Sequence, residues 1–308
     1  MRITSFSPPV ELSDSPTKRV RFAAECYFQE VFYELLQVDP QPCWSAIARK
    51  AFVLFKTDAG AVRCVQPVMD ILAEHGMRVV QAQPIQLDRL SIRELWRYEL
   101  NVSTYDRYPA VDALLGWAPS LFAMVEATAQ YRSRDSVAAT LSYLKGPSSL
   151  RSRAAHHIRH RIRALDGMFN HIHTPDEPLD VLREIGVLFS RHERRAMVSW
   201  LAGRTPGMPD GVSAAIHDFY HKVPLHSLEL GPVLDKIRSQ GVDDPQEFVS
   251  RALATQSIDE LRTWIGRRGI RLSYWDAVVL FITHRSSCHA GVVPLSDYAK
   301  IEDRRHGA

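Results

Sequence analysis

NHIHTPD, residues 170–176, lies between a short apolar segment and a run with the composition of a helix start. Residues 167–172 are predicted to form a strand, which puts His173 at the end of that strand. Imidazole has an unperturbed pKa of about 6.5, so it is a nucleophile at neutral pH without the activation that serine or lysine needs. His173 is therefore suited to accept a phosphoryl group and pass it on.

The segment before this stretch is basic. Phosphoryl transfer needs cations and backbone N–H groups around the phosphates. Residues 145–163 open with a lysine and a glycine and supply these cations: Lys145, Arg151, Arg153, Arg159, Arg161 and Arg163. The same run would also suit an exposed basic helix. Contact with DNA or RNA is disfavoured, because aromatic residues are not interleaved with the cations.

Composition describes an ordinary globular protein. The chain has 308 residues, 45% hydrophobic and 24% charged, which is enough for two domains with cores of their own. A net charge of +3 does not indicate bulk attraction to nucleic acid or membrane. The four cysteines lack metal-binding or disulfide-framework spacing, which favours reduced thiols and a cytoplasmic location. No signal-peptide core and no apolar run long enough for a membrane span is found in the sequence.

Four apolar segments predict the strands of a small sheet: residues 51–55, 77–87, 121–125 and 167–172. Apolar residues at helical spacing predict helices over 65–73 and 91–100 and around Leu114 and Leu115. Pro84 marks the second strand as an edge strand or a bulge. Strands alternating with helices in this way predict a sheet with helices packed on it, in the α+β class.

The two ends of the chain have a different pattern. Residues 19–38 predict a helix behind a proline- and serine-rich leader. Beyond Arg191 the strand-like runs disappear, and helices are predicted over 247–253, 258–265 and 274–283. The prediction is therefore an N-terminal leader and helical extension over 1–48, an α+β domain over 49–190, and an all-helical C-terminal domain over 191–308.

Between residues 50 and 190 the chain resembles the nucleoside diphosphate kinase family. FKTD, residues 55–58, is similar to the lysine turn after the family's first strand, and residues 146–159 are similar to its phosphate loop. NHIHTPD resembles its histidine site, and EIGVLF, residues 184–189, resembles its ending at the family's spacing from the histidine. Several spaced matches that agree in order are more specific than any one motif.

The resemblance implies a ferredoxin-like, mainly antiparallel sheet and ping-pong transfer of the γ-phosphoryl group of a nucleoside triphosphate through phospho-His173. It implies Mg²⁺ bound with that nucleotide, and assembly as a homo-oligomer. The roles that it implies are His173 as nucleophile, Glu184 as the residue orienting its other ring nitrogen, Lys56 and Arg159 on the phosphates, Ser148 in place of a phosphate-binding threonine, Asn170 at the ribose, Tyr108 on the base, and Asp176 in the site motif.

The chain also departs from the family pattern. Thr57 and Ala59 replace its proline and glycine, and Ser142 stands where a second phosphate-binding arginine is expected. Residues 174–175, threonine and proline, replace the glycine and serine after the nucleophile. In physical terms, Thr174 is a good N-cap, with proline at the first helical position and Glu177 completing a capping box. The sequence therefore predicts a helix that begins at residue 175.

Three hypotheses remain open. The first is the kinase-like phosphotransferase described above. The second is a nucleotide-binding module with impaired catalysis that acts by docking a partner. The third is a kinase of specialised metabolism with a non-standard acceptor. A metal site is disfavoured, because the candidate ligands His156, His157, His160 and His171 lack cysteine and carboxylate partners at usual spacings. His171 is expected to be a packed or surface residue.

Overall fold

The computed structural model describes residues 7–165, 167–204, 211–283 and 285. Within these residues the strands form a four-stranded antiparallel sheet. Its strands are β1 (Lys50–Phe55), β2 (Met77–Ile85), β3 (Ser120–Ala127) and β4 (Ile172–His173). The mixture of helices with a small antiparallel sheet that the sequence predicts is confirmed.

The strand order is β2-β3-β1-β4. β1 lies in the interior of the sheet and its last five residues are buried, as expected for a continuous apolar run covered on both faces. β2 is an edge strand, which is the position in a sheet where a proline such as Pro84 is tolerated. The bulge in β2 falls between Val79 and Gln81, and Pro84 itself pairs in register with Leu121.

Helices surround the sheet. In the N-terminal part and around the sheet they are α1 (Pro16–Ala23), α2 (Cys26–Val38), α3 (Trp44–Ile47), α4 (Thr57–Ala61), α5 (Val65–Glu74), α6 (Arg89–Leu95), α7 (Arg107–Leu115), α8 (Val137–Lys145), α9 (Ile158–Arg161) and α10 (Pro178–Leu188). In the C-terminal part they are α11 (Arg191–Leu201), α12 (Val212–Lys222), α13 (Leu230–Arg238), α14 (Pro245–Ala254), α15 (Ile258–Gly266) and α16 (Tyr274–Ile282). The three C-terminal helices that the sequence predicts correspond to α14, α15 and α16.

Three predicted elements are wrong in extent, and one of them is the helix predicted over 91–100, which ends at Leu95 as α6. The helix predicted over 19–38 is broken into α1 and α2, because Glu25 is extended and its carboxylate is bound by the buried Arg183 guanidinium at 2.5 Å. The strand predicted over 167–172 shrinks to the two residues of β4, because Gly167 and His171 have φ of 67° and 62° and cannot continue an extended chain.

The core is continuous across the described parts of the chain. Phe52 and Phe122 of the sheet lie 4.6 Å apart between ring centroids, and Phe189 packs edge-on against Phe122. α12 packs against α4 so closely that a Cβ on Gly60 would lie 2.8 Å from the Phe219 ring. No helix among the described residues combines the length and the apolar character needed to cross a membrane.

Candidate active site

His173 ends the sheet strand nearest the candidate site. It pairs with Leu54 of β1, which sets the position of its backbone, and its ring meets that of Trp96 edge-on at 5.3 Å between centroids. Its Nε2 lies 2.8 Å from Oε2 of Glu184, which α10 carries. Nδ1 makes no hydrogen bond to any residue that the structure describes. An ionised Glu184 can only accept, so the hydrogen is placed on Nε2 and the Nδ1 lone pair stays available.

The helix that carries Glu184 does not begin where the sequence predicts. α10 starts at Pro178, with Glu177 as N-cap and a capping box completed by Asp180. The predicted cap at Thr174 is wrong, and its buried hydroxyl has no hydrogen-bond partner among the described residues. Pro175 and Pro178 are both suited to the first position of a helix. The helix begins at Pro178, because the reciprocal hydrogen bonds of a capping box form between Glu177 and Asp180.

The N-terminal extension holds this helix start. The ammonium of Lys18 in α1 lies 2.8 Å from the carboxylate of Glu177 and 2.5 Å from that of Asp180. Ser13 donates a 2.8 Å hydrogen bond to Glu177 as well. α1 therefore supplies a counter-charge to carboxylates at the start of the helix whose later turn presents Glu184 to His173.

Lys56 lies where β1 ends. Its side chain is buried, donates to the carbonyl of Met168 at 2.6 Å, and has its Nζ 3.5 Å from Oδ1 of Asp58. Burial, opposed by the charge of Asp58 and reinforced by the charges of Arg159 and Arg107, lowers the pKa of Lys56 to about 8. A buried ammonium with its charge so poorly compensated favours an incoming anion.

Arg159 of α9 is also buried. It donates to the carbonyls of Gly146 at 2.7 Å, Ile172 at 2.8 Å and Asn170 at 3.2 Å. These bonds use three of its five N–H groups and join the loop after α8 to β4. Burial, with the nearby charge of Arg153, lowers the pKa of Arg159 to about 10. Arg159 is therefore a structural brace whose remaining two N–H groups make no hydrogen bond to a described residue.

His173, Lys56 and Arg159 meet in one cavity of about 110 Å³. The residues that line it are Lys56, Trp96, Glu99, Leu100, Arg107, Val111, Leu114, Leu115, Arg159, Met168, Asn170, Ile172 and His173. Sites for whole small-molecule ligands usually span about 300–1,000 Å³. This cavity therefore has room for a group of about the size of a phosphate and not for a whole drug-sized ligand.

Not every predicted site residue reaches the cavity. Asn170 lines it, with its amide donating to the carbonyl of Gly167 at 2.9 Å. Asp176 is exposed at the surface, where it accepts a short hydrogen bond from Ser142 and lies 3.5 Å from the ammonium of Lys145. Ser142, which stands where a second phosphate-binding arginine is expected, thus binds the carboxylate of Asp176 outside the cavity.

Tyr108 and Ser148 are absent from the cavity wall. The Tyr108 hydroxyl donates to the carbonyl of Leu100 at 3.1 Å, its ring lies under the guanidinium of Arg93, and it faces a separate groove. Ser148 is exposed, and its carbonyl accepts a hydrogen bond from Arg153. The guanidinium of Arg153 donates to backbone carbonyls of this loop, those of Pro147 and Ser148. These bonds hold the loop in a position from which the Ser148 side chain does not face His173.

Asp58 and His171 form a buried pair beside the site that was not predicted from the sequence. Asp58 Oδ2 accepts a hydrogen bond from the backbone N–H of His171 at 3.0 Å, and the same oxygen lies 2.8 Å from the ring Nδ1 of His171. His171 has a φ of 62° and is flanked by a 2.8 Å hydrogen bond from Ile172 N–H to the Asn170 carbonyl, which closes a strained γ-turn. Such a conformation costs about 1–3 kcal/mol and persists only where its surroundings impose it.

Three further wall residues were also missed. Trp96 and Glu99 fall inside the predicted helix 91–100, and Arg107 begins α7. Glu99 reaches solvent at the mouth of the cavity. The sequence carried no signal for them: a helix over 91–100 would have spread these side chains around its surface, whereas α6 ends at Leu95 and Trp96 lies against the His173 ring.

No protein-family model matches this chain, and no curated protein matches it. Solved structures of nucleoside diphosphate kinases are similar to part of it. The nucleoside diphosphate kinase of Aquifex aeolicus is 19% identical, with 47% of this chain and 97% of that chain covered and a TM-score of 0.38. An NDP kinase from Pyrobaculum aerophilum is 14% identical, with the same coverage and TM-score.

Proposed function

We propose that this protein transfers the γ-phosphoryl group of a nucleoside triphosphate to an acceptor through a covalent intermediate on His173. The observation that carries the proposal is the ring itself: Glu184 holds Nε2 at 2.8 Å, and Nδ1 is left without a partner among the described residues, in a cavity that also holds two buried cations. An oriented nucleophile next to phosphate-binding charge is the arrangement that phosphohistidine chemistry requires.

In the first half-reaction the Nδ1 lone pair of His173 attacks the γ-phosphorus. A P–N bond forms, the bond from the γ-phosphorus to the bridging oxygen breaks, and the nucleoside diphosphate leaves with that electron pair. Glu184 stabilises the positive charge that develops on the ring, while Lys56 and Arg159 stabilise the phosphoryl oxygens. In the second half-reaction an anionic acceptor oxygen attacks the phosphorus of phospho-His173. A P–O bond to the acceptor forms, the P–N bond breaks, and its electron pair returns to the ring as neutral imidazole.

Magnesium enters this scheme as part of the nucleotide substrate. The described residues contain no group of three or more His, Cys, Asp or Glu side chains placed to hold a metal ion. The steps above are assigned to side chains of the described residues. We also assign the sheet, with its order β2-β3-β1-β4, to the ferredoxin-like arrangement.

Nucleotide affinity is expected to fall as pH rises through about 8, the pKa to which burial lowers Lys56. Below that pH the ammonium is charged and attracts phosphate, and above it the amine is neutral. Binding of ATP should weaken roughly tenfold between pH 7.5 and 9, as expected for loss of one titrating group. Calorimetric titration at several pH values measures this dependence.

Ionisation of Glu99 also weakens anion binding as pH rises, so its contribution must be separated from that of Lys56. Although Glu99 is exposed as a residue, protein atoms crowd its carboxyl group, and this desolvation together with the nearby carboxylate of Glu184 raises the pKa of Glu99 above its ordinary range. Its ionisation therefore also opposes anion binding at alkaline pH. In Glu99→Gln the decline in affinity should persist, whereas in Lys56→Met binding should be weak at every pH. Unchanged wild-type affinity from pH 7.5 to 9.5 would contradict the role of Lys56.

A second candidate function is a nucleotide-binding module without efficient transfer. It is favoured by the small cavity and by the use of Arg159 as a brace for three carbonyls. Incubation with γ-labelled ATP separates the two. The transferase should retain an acid-labile, base-stable label. Nucleotide binding with no label at any concentration would instead favour the module.

A further inference from the structure

We propose that Asp58 is a positioning residue that links the two halves of this site, with one carboxylate oxygen holding the turn before His173 and the other facing the ammonium of Lys56. The inference rests on the proposed function, in which His173 and Lys56 act on the same phosphoryl group. Asp58 itself does not line the cavity and has no role in the steps above.

The contacts divide between the two carboxylate oxygens. Oδ2 receives the backbone N–H of His171 at 3.0 Å and lies 2.8 Å from its Nδ1. Oδ1 is buried, has no hydrogen-bond partner among the described residues, and lies 3.5 Å from Nζ of Lys56. The side chain of Asp58 is completely buried. A buried carboxylate is stable only when paired, and here both pairs belong to segments of the site.

The first pair holds a strained backbone. Because His171 is in the left-handed region, it would relax to negative φ if its backbone N–H and its ring were released. The Lys56 backbone N–H also donates to the His171 carbonyl at 2.9 Å, so the turn is tied to the end of β1 from both sides. Relaxation at residue 171 would move His173, two residues on, relative to Lys56.

The second pair sets the charge of the lysine. The charged groups around Lys56 are Asp58 on α4, Arg159 on α9 and Arg107 on α7, and the two arginines both disfavour the ammonium form. His171 faces Asp58 on the opposite side and also holds its carboxylate in the ionised form. Asp58 is therefore the negative charge that keeps Lys56 protonated near neutral pH, and its loss should leave the lysine largely neutral.

Nuclear magnetic resonance of the wild-type chain tests this link without any reaction. The ¹³Cε resonance of Lys56 and the ¹³Cγ resonance of Asp58 are followed from pH 5 to 11. Both should shift together near pH 8, because the carboxylate senses loss of the neighbouring ammonium charge. An Asp58 resonance that does not respond while Lys56 titrates would overturn the proposal, and this measurement does not depend on any variant folding.

Two variants then separate the two contacts. Asp58→Asn keeps an acceptor for the His171 N–H but removes the charge, and it should lower the Lys56 pKa by at least ~1 unit. His171→Ala keeps the charge, so Lys56 should still titrate in the wild-type range, while phosphorylation of His173 at saturating nucleotide should slow by about tenfold or more. Asp70→Asn, an exposed aspartate on α5, is the matched control and should change neither.

The outcomes distinguish this inference from the proposed function. If wild-type protein binds ATP and never carries a phosphoryl group, transfer is excluded, and the paired titration still decides whether Asp58 is coupled to Lys56. An unchanged Lys56 titration in Asp58→Asn, or an unchanged phosphorylation rate in His171→Ala, would overturn the positioning role.

Discussion

His173→Ala is expected to abolish the acid-labile phosphoryl label on this protein, with a fall of at least ~10³-fold in the rate of phosphoenzyme formation. The variant removes the ring whose Nδ1 has no competing partner among the described residues. The measurement is incubation with γ-labelled ATP, followed by separate acid and base treatments of the denatured protein. Among the described residues no other histidine lines the cavity, so none of them should take its place.

Two controls accompany this variant. Affinity for ATP should stay within severalfold of wild type, because Lys56 and Arg159 remain in the cavity. His160→Ala, which removes an exposed imidazole on α9, should keep full labelling. Base-stable label of wild-type intensity in His173→Ala would mean that another residue is the nucleophile.

Gly186→Ala is expected to destabilise the fold and to disturb the site as well. A Cβ at this position would lie 2.3 Å from the backbone carbonyl oxygen of Tyr27, so α2 and α10 would have to move apart. Overpacking of this kind costs about 1–3 kcal/mol of the free energy of unfolding. Because Glu184 lies two residues before Gly186 on α10, the same shift should weaken its hydrogen bond to His173 and slow phosphorylation.

Chemical denaturation measures the change in stability, and a second glycine provides a matched control. Gly231 in α13 has no atom within 4 Å of the position that a Cβ would take. Gly231→Ala should therefore be neutral or stabilising by up to ~1 kcal/mol, through better helix propensity. Equal stability of Gly186→Ala and Gly231→Ala would show that α2 does not press on α10 as described.

Local pattern was enough to predict the first three strands of the sheet, whereas the candidate site residues other than His173 were implied by the family resemblance. β1 and β3 are continuous apolar runs, and α14 to α16 have helical periodicity with cap residues such as Ser257, whose side chain accepts from Glu260 N–H. His173 and Glu184 are eleven residues apart, and a short strand followed by a helix that folds back brings them together.

What the sequence did not reveal depends on distant contacts. The γ-turn at His171 exists because Asp58, 113 residues earlier, accepts its N–H and lies beside its ring. α10 begins at Pro178 and not after Thr174, in part because Lys18 binds both members of its capping box. No periodicity or propensity carries information about such pairs.

The N-terminal extension belongs to the site in the same sense. Arg183 of α10 is buried and bound to Glu25, and its guanidinium lies over the rings of Phe22 and Tyr98. Together with Lys18, these contacts fix the helix that presents Glu184. The extension was expected to be an appended helix, and the described contacts instead make it the support of the residue that orients His173.

The position of phosphorus on the imidazole ring is the decisive measurement for phosphoryl transfer through His173. Phosphorylated wild-type protein is examined by ³¹P and ¹H–¹⁵N correlation spectroscopy, which distinguishes the two phosphohistidine isomers. Since Glu184 holds Nε2 at 2.8 Å, phosphorus should be found on Nδ1 of His173. Phosphorus on Nε2, or on any other residue, would contradict the account.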